Sequence, residues 1–75
     1  MAKHDWIGNY KLHYVEYYSY KDEWVARTAN LGYCVTKDEA LQKAVDFIVR
    51  ENVTVDYSTM YVSDGFGNKF FAVER

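Results

Sequence analysis

Seventy-five residues are enough for one domain and too few for two, and a chain this short buries only about 60% of its unfolded surface, so its stability margin is narrow. With 49% hydrophobic residues and 19% aromatics, eight of them tyrosine, the chain is too apolar to be disordered. Nine basic against eleven acidic residues give a net charge of -2, so no global positive field draws the chain to phosphate backbones, and nucleic acid is disfavoured though not excluded.

From residue 9 to 19, Tyr10, Leu12 and Tyr14 alternate with Lys11, His13 and Val15 at the two-residue period of a first strand. Ser19, Tyr20, Lys21 and Asp22 supply turn chemistry, and the β-rich run 23–29 completes a hairpin. Asn30, Leu31 and Gly32 close that strand. Thr36 and Glu39 then form a capping box: the hydroxyl accepts from the Glu39 amide, the Glu39 carboxylate reaches back to the Thr36 amide, and Asp38 adds charge that the helix dipole favours. Leu41, Ala44, Val45 and Ile48 follow at helical spacing, with Ala40 and Phe47 or Val49 widening the stripe. Arg50 in the last turn and Asn52 as a left-handed terminator end a helix expected from Lys37 to Glu51.

Residues 53–62 are β-branched or aromatic at nearly every other place, the pattern of a third strand with room for a bulge. Asp64 and Gly65 mark a turn, and 70–73 form the last strand of a second hairpin. The expected fold is a single α+β domain over residues 1–75, ordered ββαββ, with a four-stranded, mostly antiparallel sheet and one helix packed on one face. There is no proline, repeat or low-complexity tract to divide it.

A lone helix covers one sheet face, which leaves the other wet or packed on something else. Each strand opposes two large side chains: Tyr14 and Tyr18 against Tyr17, Trp24 against Val25, Tyr57 and Tyr61 against Met60 and Val62, Phe70 against Phe71. One of each set faces outward. Such rings either cover backbone and stabilise cross-strand pairs, or form an adhesive patch of the kind enriched at interface centres. In the second reading Tyr14, Tyr17, Tyr18, Trp24 and Tyr57 are the anchors, and Glu16, Asp22, Glu23 and Asp56 among them present an acidic surface to a basic protein groove. Pairing of two copies through this face would relieve the narrow stability, so a homodimer is expected beside the protein partner. Lys11, Arg27 and Lys69 are the residues of the competing reading, a nucleic-acid binder using the same face.

Catalytic constellations are weaker. Cys34, the only cysteine, could pair with His13 or His4 and be oriented by Asp56, but no nucleophile signature surrounds it, and a buried structural thiol is the default. His4, Asp5, His13 and Cys34 lack the spacing that preorganises metal ligands. The stretch 64–68 lacks the Lys and Ser/Thr of a phosphate loop. No enzyme activity, metal or cofactor is expected. Neither a signal-peptide apolar stretch nor a run of about eighteen apolar residues is present, so a cytoplasmic protein that does not enter membranes is expected.

The stretch from Trp24 through Asn30, Leu31, Gly32, Tyr33, Cys34, Val35, Thr36 and Glu39 to Ala44 resembles the HicB-like antitoxin domain. There an aromatic-x-Ala strand leads through a Leu, Gly and Cys turn into a Thr-x-x-Glu-Ala-Leu helix start. The likeness spans residues 10–49. It implies a small cytoplasmic protein that neutralises a partner by covering it. In size and ββαββ layout the chain is also similar to small phage-encoded inhibitors of bacterial defence, including anti-CRISPR proteins.

Overall fold

A computed structural model describes residues 8–72, which form β1 (Gly8–Tyr18), β2 (Glu23–Cys34), α1 (Lys37–Glu51), β3 (Tyr61–Ser63) and β4 (Lys69–Phe71). The strands make one antiparallel sheet in the order β2-β1-β3-β4, so β1 and β3 are internal. This is the ββαββ α+β arrangement that the sequence implies.

The helix begins and ends where its caps dictate. Thr36 is extended (φ -133°, ψ 162°) and its Oγ1 accepts from the Glu39 amide at 3.1 Å. The return bond differs from the expected box: Glu39 Oε1 accepts from the amide of Val35 at 2.8 Å, one residue earlier. At the other end Asn52 is left-handed (φ 55°), and its amide donates to the carbonyls of Ile48 and Val49 at 2.9 and 3.2 Å. Ala40, Ala44 and Ile48 are the buried stripe, and the two alanines let the helix axis approach the sheet closely. Val45, expected in the core, is 40% exposed, and Val49 more so, because the stripe is centred on the Ala40 side.

On the sheet, Tyr10, Leu12 and Val62 are fully buried beneath the helix together with Met60 and Cys34. The face carrying Tyr10 and Leu12 is therefore the covered one. An eleven-residue strand spans roughly 36 Å and a fifteen-residue helix about 22 Å, so the distal end of the β1–β2 hairpin overhangs the core. The molecule is correspondingly long, 45 × 24 × 18 Å.

Three elements depart from the sequence pattern, each for a local reason. β2 does not close at Asn30, Leu31 and Gly32 but runs on to Cys34. The register shifts between Tyr10 and Lys11, leaving Leu31 unopposed in a bulge, with Gly32 at φ 82° and its amide donating to Asn30 Oδ1 at 3.0 Å. The expected strand over 53–62 is interrupted: Val55 makes a single bridge to Glu16, and then Asp56 accepts from the amide and hydroxyl of Ser58 at 3.1 and 2.6 Å. That local turn competes with the ladder, so β3 is only three residues long. The last hairpin is also wider than Asp64 and Gly65 suggest. The buried Asp64 carboxylate accepts from the amides of Phe66 and Asn68 at 2.8 and 3.0 Å and from Asn68 Nδ2 at 3.0 Å, while Gly67 takes the positive φ, 87°. β4 follows at Lys69–Phe71, one residue earlier than the expected start, and Val73 lies outside the described residues.

Leu12→Ala should cost about 2–5 kcal/mol in urea unfolding, since it empties a fully buried site under the helix, and Thr36→Ala about 1 kcal/mol through the lost cap. A smaller loss for Leu12→Ala than for Thr36→Ala would mean that the helix does not rest on this face.

Candidate functional site

Antiparallel register turns the uncovered face into rows that run across the strands, two residues or about 7 Å apart along each strand. Lys11, Ser63 and Lys69 form one row. Thr28, His13, Tyr61 and Phe71 form the next, then Ala26 with Val15, then Trp24 with Tyr17 on the overhang. Large rings thus flank a strip of small side chains.

The rings of the second row are in contact. His13 and Tyr61 stack with centroids 4.6 Å apart and planes within 12°, and Phe71 lies 5.4 Å from Tyr61. His13 Nε2 and Ser63 Oγ are 2.8 Å apart, which ties the imidazole to the neighbouring row. Lys69 Nζ stands 5.1 Å over the Tyr61 ring. Neither Lys11 nor Lys69 forms an ion pair among the described residues. Burial, then the charges of Lys11 and Lys69, hold the His13 pKa below its ordinary value of 6.5. Beside this stack is a shallow depression of about 190 Å³ that His13, Val15, Ala26, Thr28, Thr59 and Tyr61 help to line.

The residues expected to form the partner surface are divided between the faces. Tyr17 and Trp24 meet on the open face at 5.4 Å, and the Tyr17 hydroxyl donates to the Asp22 carboxylate, which raises the phenol pKa. Tyr14 is on the covered side, edge-on to Phe47 at 6.0 Å. Tyr18 shares that side and contacts the 90% exposed Tyr20 in the turn at 5.6 Å. Tyr57 is exposed in the segment between Val55 and β3, next to the Asp56 turn. Glu16 and Glu23 also belong to the covered side's register, Glu16 pairing with Arg27 Nε at 3.0 Å, and Asp22 lies in the turn. The acidic residues are therefore split: Glu16 and Glu23 lie on the covered side, the Asp22 carboxylate meets the open-face Tyr17 hydroxyl, and the Asp56 amide donates to the carbonyl of Val15. Among its strand residues the formal charges are Lys11 and Lys69, whereas Arg27, expected with them, belongs to the other side. His13, Tyr61 and Phe71, the centre of the face, are absent from the sequence-derived set of anchors; their common signal is two-residue alternation, which needs the strand register before it aligns them.

Cys34 and His13 are on opposite sides of the sheet. The thiol is fully buried, its Sγ 3.7 Å from the Gly32 carbonyl, and burial is the main cause of its raised pKa, with the nearby Lys43 opposing it. Among the described residues no group of three or more His, Cys, Asp or Glu side chains could hold a metal ion; His4 and Asp5 lie outside them. No helix among the described residues is long and apolar enough to cross a membrane. No family model matches the chain, and neither a curated protein nor a solved structure matches it.

Two outcomes follow from these environments. By NMR, His13 should titrate below 6.5, and Lys11→Gln with Lys69→Gln should move it upward. Because the unfolded chain takes that proton more readily, stability should fall as the pH drops through 6.5 towards the lower folded value, and less steeply in the double variant. Cys34 should react slowly with iodoacetamide at neutral pH until the fold is opened with denaturant. Fast native labelling would contradict its burial.

Proposed function

We propose that this chain is a small non-catalytic binding protein that acts by occlusion, laying the open face of its sheet over a partner macromolecule and so inhibiting or regulating it. An antitoxin-like or anti-defence inhibitor would work in this way. The observation that carries the reading is the segregation of side chains. The helix stripe is used up against Tyr10, Leu12 and Val62, while Trp24, Tyr17, His13, Tyr61 and Phe71 are arrayed on the other side. Trp24 remains 53% and Phe71 43% exposed, and rings of this kind provide large contact area at low conformational cost.

Both partner classes raised by the sequence, a protein groove and a nucleic acid, would use this face, and its charge separates them. A basic groove requires carboxylates across the face, but Glu16 and Glu23 are on the other side, and Asp22 and Asp56 stand beside Tyr17 and Val15 and not at its centre. Lys11 and Lys69 favour an anionic partner instead.

A photo-crosslinking residue placed at Thr28, exposed on the open face, should yield a covalent adduct in the native cell, whereas the same residue at Gln42, on the outer side of the helix, should not. Adducts confined to Gln42 would place the working surface on the helix and end this reading.

A further inference from the structure

The open face combines three features that a single strand of nucleic acid requires, and it holds them in register. The first is a ring platform, the His13, Tyr61 and Phe71 series with centroid separations of 4.6 and 5.4 Å. A nucleobase stacks on such rings without regard to its identity, because every base has a π-face. The second is the adjoining depression of about 190 Å³ over Val15, Ala26 and Thr28, where short side chains leave room for a flat heterocycle beside the stack. The third is the row of Lys11, Ser63 and Lys69 one step away, about 7 Å along the strands. A base seated on the ring row can therefore reach its phosphate to two ammonium groups that no carboxylate among the described residues engages.

We infer that this face binds single-stranded nucleic acid, with bases against the His13, Tyr61 and Phe71 rings and the backbone along Lys11 and Lys69. The inference rests on the open-face reading above and names its partner. The net charge of -2 does not oppose it, since ionic strength limits electrostatic reach to about 8 Å in physiological salt; Glu16, Asp38 and Glu39 belong to the covered side or the helix, and Asp22 and Asp56 stand beside Tyr17 and Val15, at least two strand rows from Lys11. Duplexes fit poorly, because their bases are stacked on one another and offer a flat ring platform only a ridged phosphate surface.

The test is fluorescence anisotropy of the full chain with a labelled mixed-sequence single strand of about 12 nucleotides, and with the same strand annealed to its complement, over a salt series. The single strand should bind more tightly than the duplex. Lys11→Gln with Lys69→Gln should make the slope of log affinity against log salt shallower by about 1.4, some 0.7 per lost phosphate contact. Ala26→Glu, an exposed strand position that fills the depression with a carboxylate, should weaken binding by roughly five- to a hundredfold, the range that one stacked base supplies. Lys21→Gln with Arg50→Gln changes the net charge equally but away from the face, and should leave both affinity and slope near wild type. Circular dichroism confirms that each variant is folded before binding is read. Absence of binding at low salt, equal affinity for the duplex, or equal losses in the control pair would overturn the inference. Protein adducts at Thr28 without oligonucleotide binding would reject nucleic acid and keep the open-face reading, whereas adducts only at Gln42 would reject both.

Discussion

The packing of one helix against one face of a four-stranded sheet is the constraint from which the other properties of this chain follow. Ala40, Ala44 and Ile48 close over Tyr10, Leu12, Met60 and Val62, and these residues, with Cys34 and Val55, make up the buried apolar core. A second helix would have covered the other face; here the rings that alternate with the core residues remain in water. The helix is also shorter than the hairpin it packs on, so the strand ends carrying Tyr17, Tyr18 and Trp24 project beyond the core. Exposure of large rings is thus a consequence of topology and length, and what distinguishes the open face is how its side chains are sorted.

That sorting is chemical as well as geometric. Cations, rings, small side chains and rings again succeed one another along the strands, and the cation row includes the serine that orients His13. Rings used only to shield backbone would stabilise the sheet by about 0.2–1 kcal/mol per cross-strand pair wherever they fell. They would not require two lysines beside them that no carboxylate among the described residues engages. Burial first, and then the charges of Lys11 and Lys69, lower the His13 pKa, so the cation row and the ring row are electrostatically linked.

Much of the architecture was legible in the sequence because it is encoded by local chemistry. The helix runs over Lys37–Glu51 with Thr36 and Asn52 as its caps, as the capping residues imply, and the alternation in β1 separates the Tyr10 and Leu12 face from the Lys11 and His13 face. Local chemistry also misled where one signal serves two structures. Asn30 and Gly32 read as a strand end, and the same preferences make a bulge within a continuing strand. Asp56 and Ser58 sit inside a β-rich run, yet a carboxylate two residues before a hydroxyl closes its own turn and breaks the strand. The site was less legible than the fold. Composition marks the aromatics as abundant, but which of them meet depends on a register set by β1 pairing with β3, residues fifty positions away in the chain. Tyr17 and Trp24 fell together because they flank one tight turn; His13, Tyr61 and Phe71 could not be aligned without that long-range pairing.

The most direct measurement of the central claim, that the face opposite the helix binds single-stranded nucleic acid, is an NMR titration of the labelled chain with an unlabelled single-stranded oligonucleotide. The account predicts that amide and side-chain signals of Lys11, His13, Val15, Ala26, Thr28, Tyr61 and Lys69 shift together and saturably, while Gln42, Asp46 and Arg50 on the outer side of the helix stay in place. Shifts centred on the helix, or an unchanged spectrum at low salt, would contradict it.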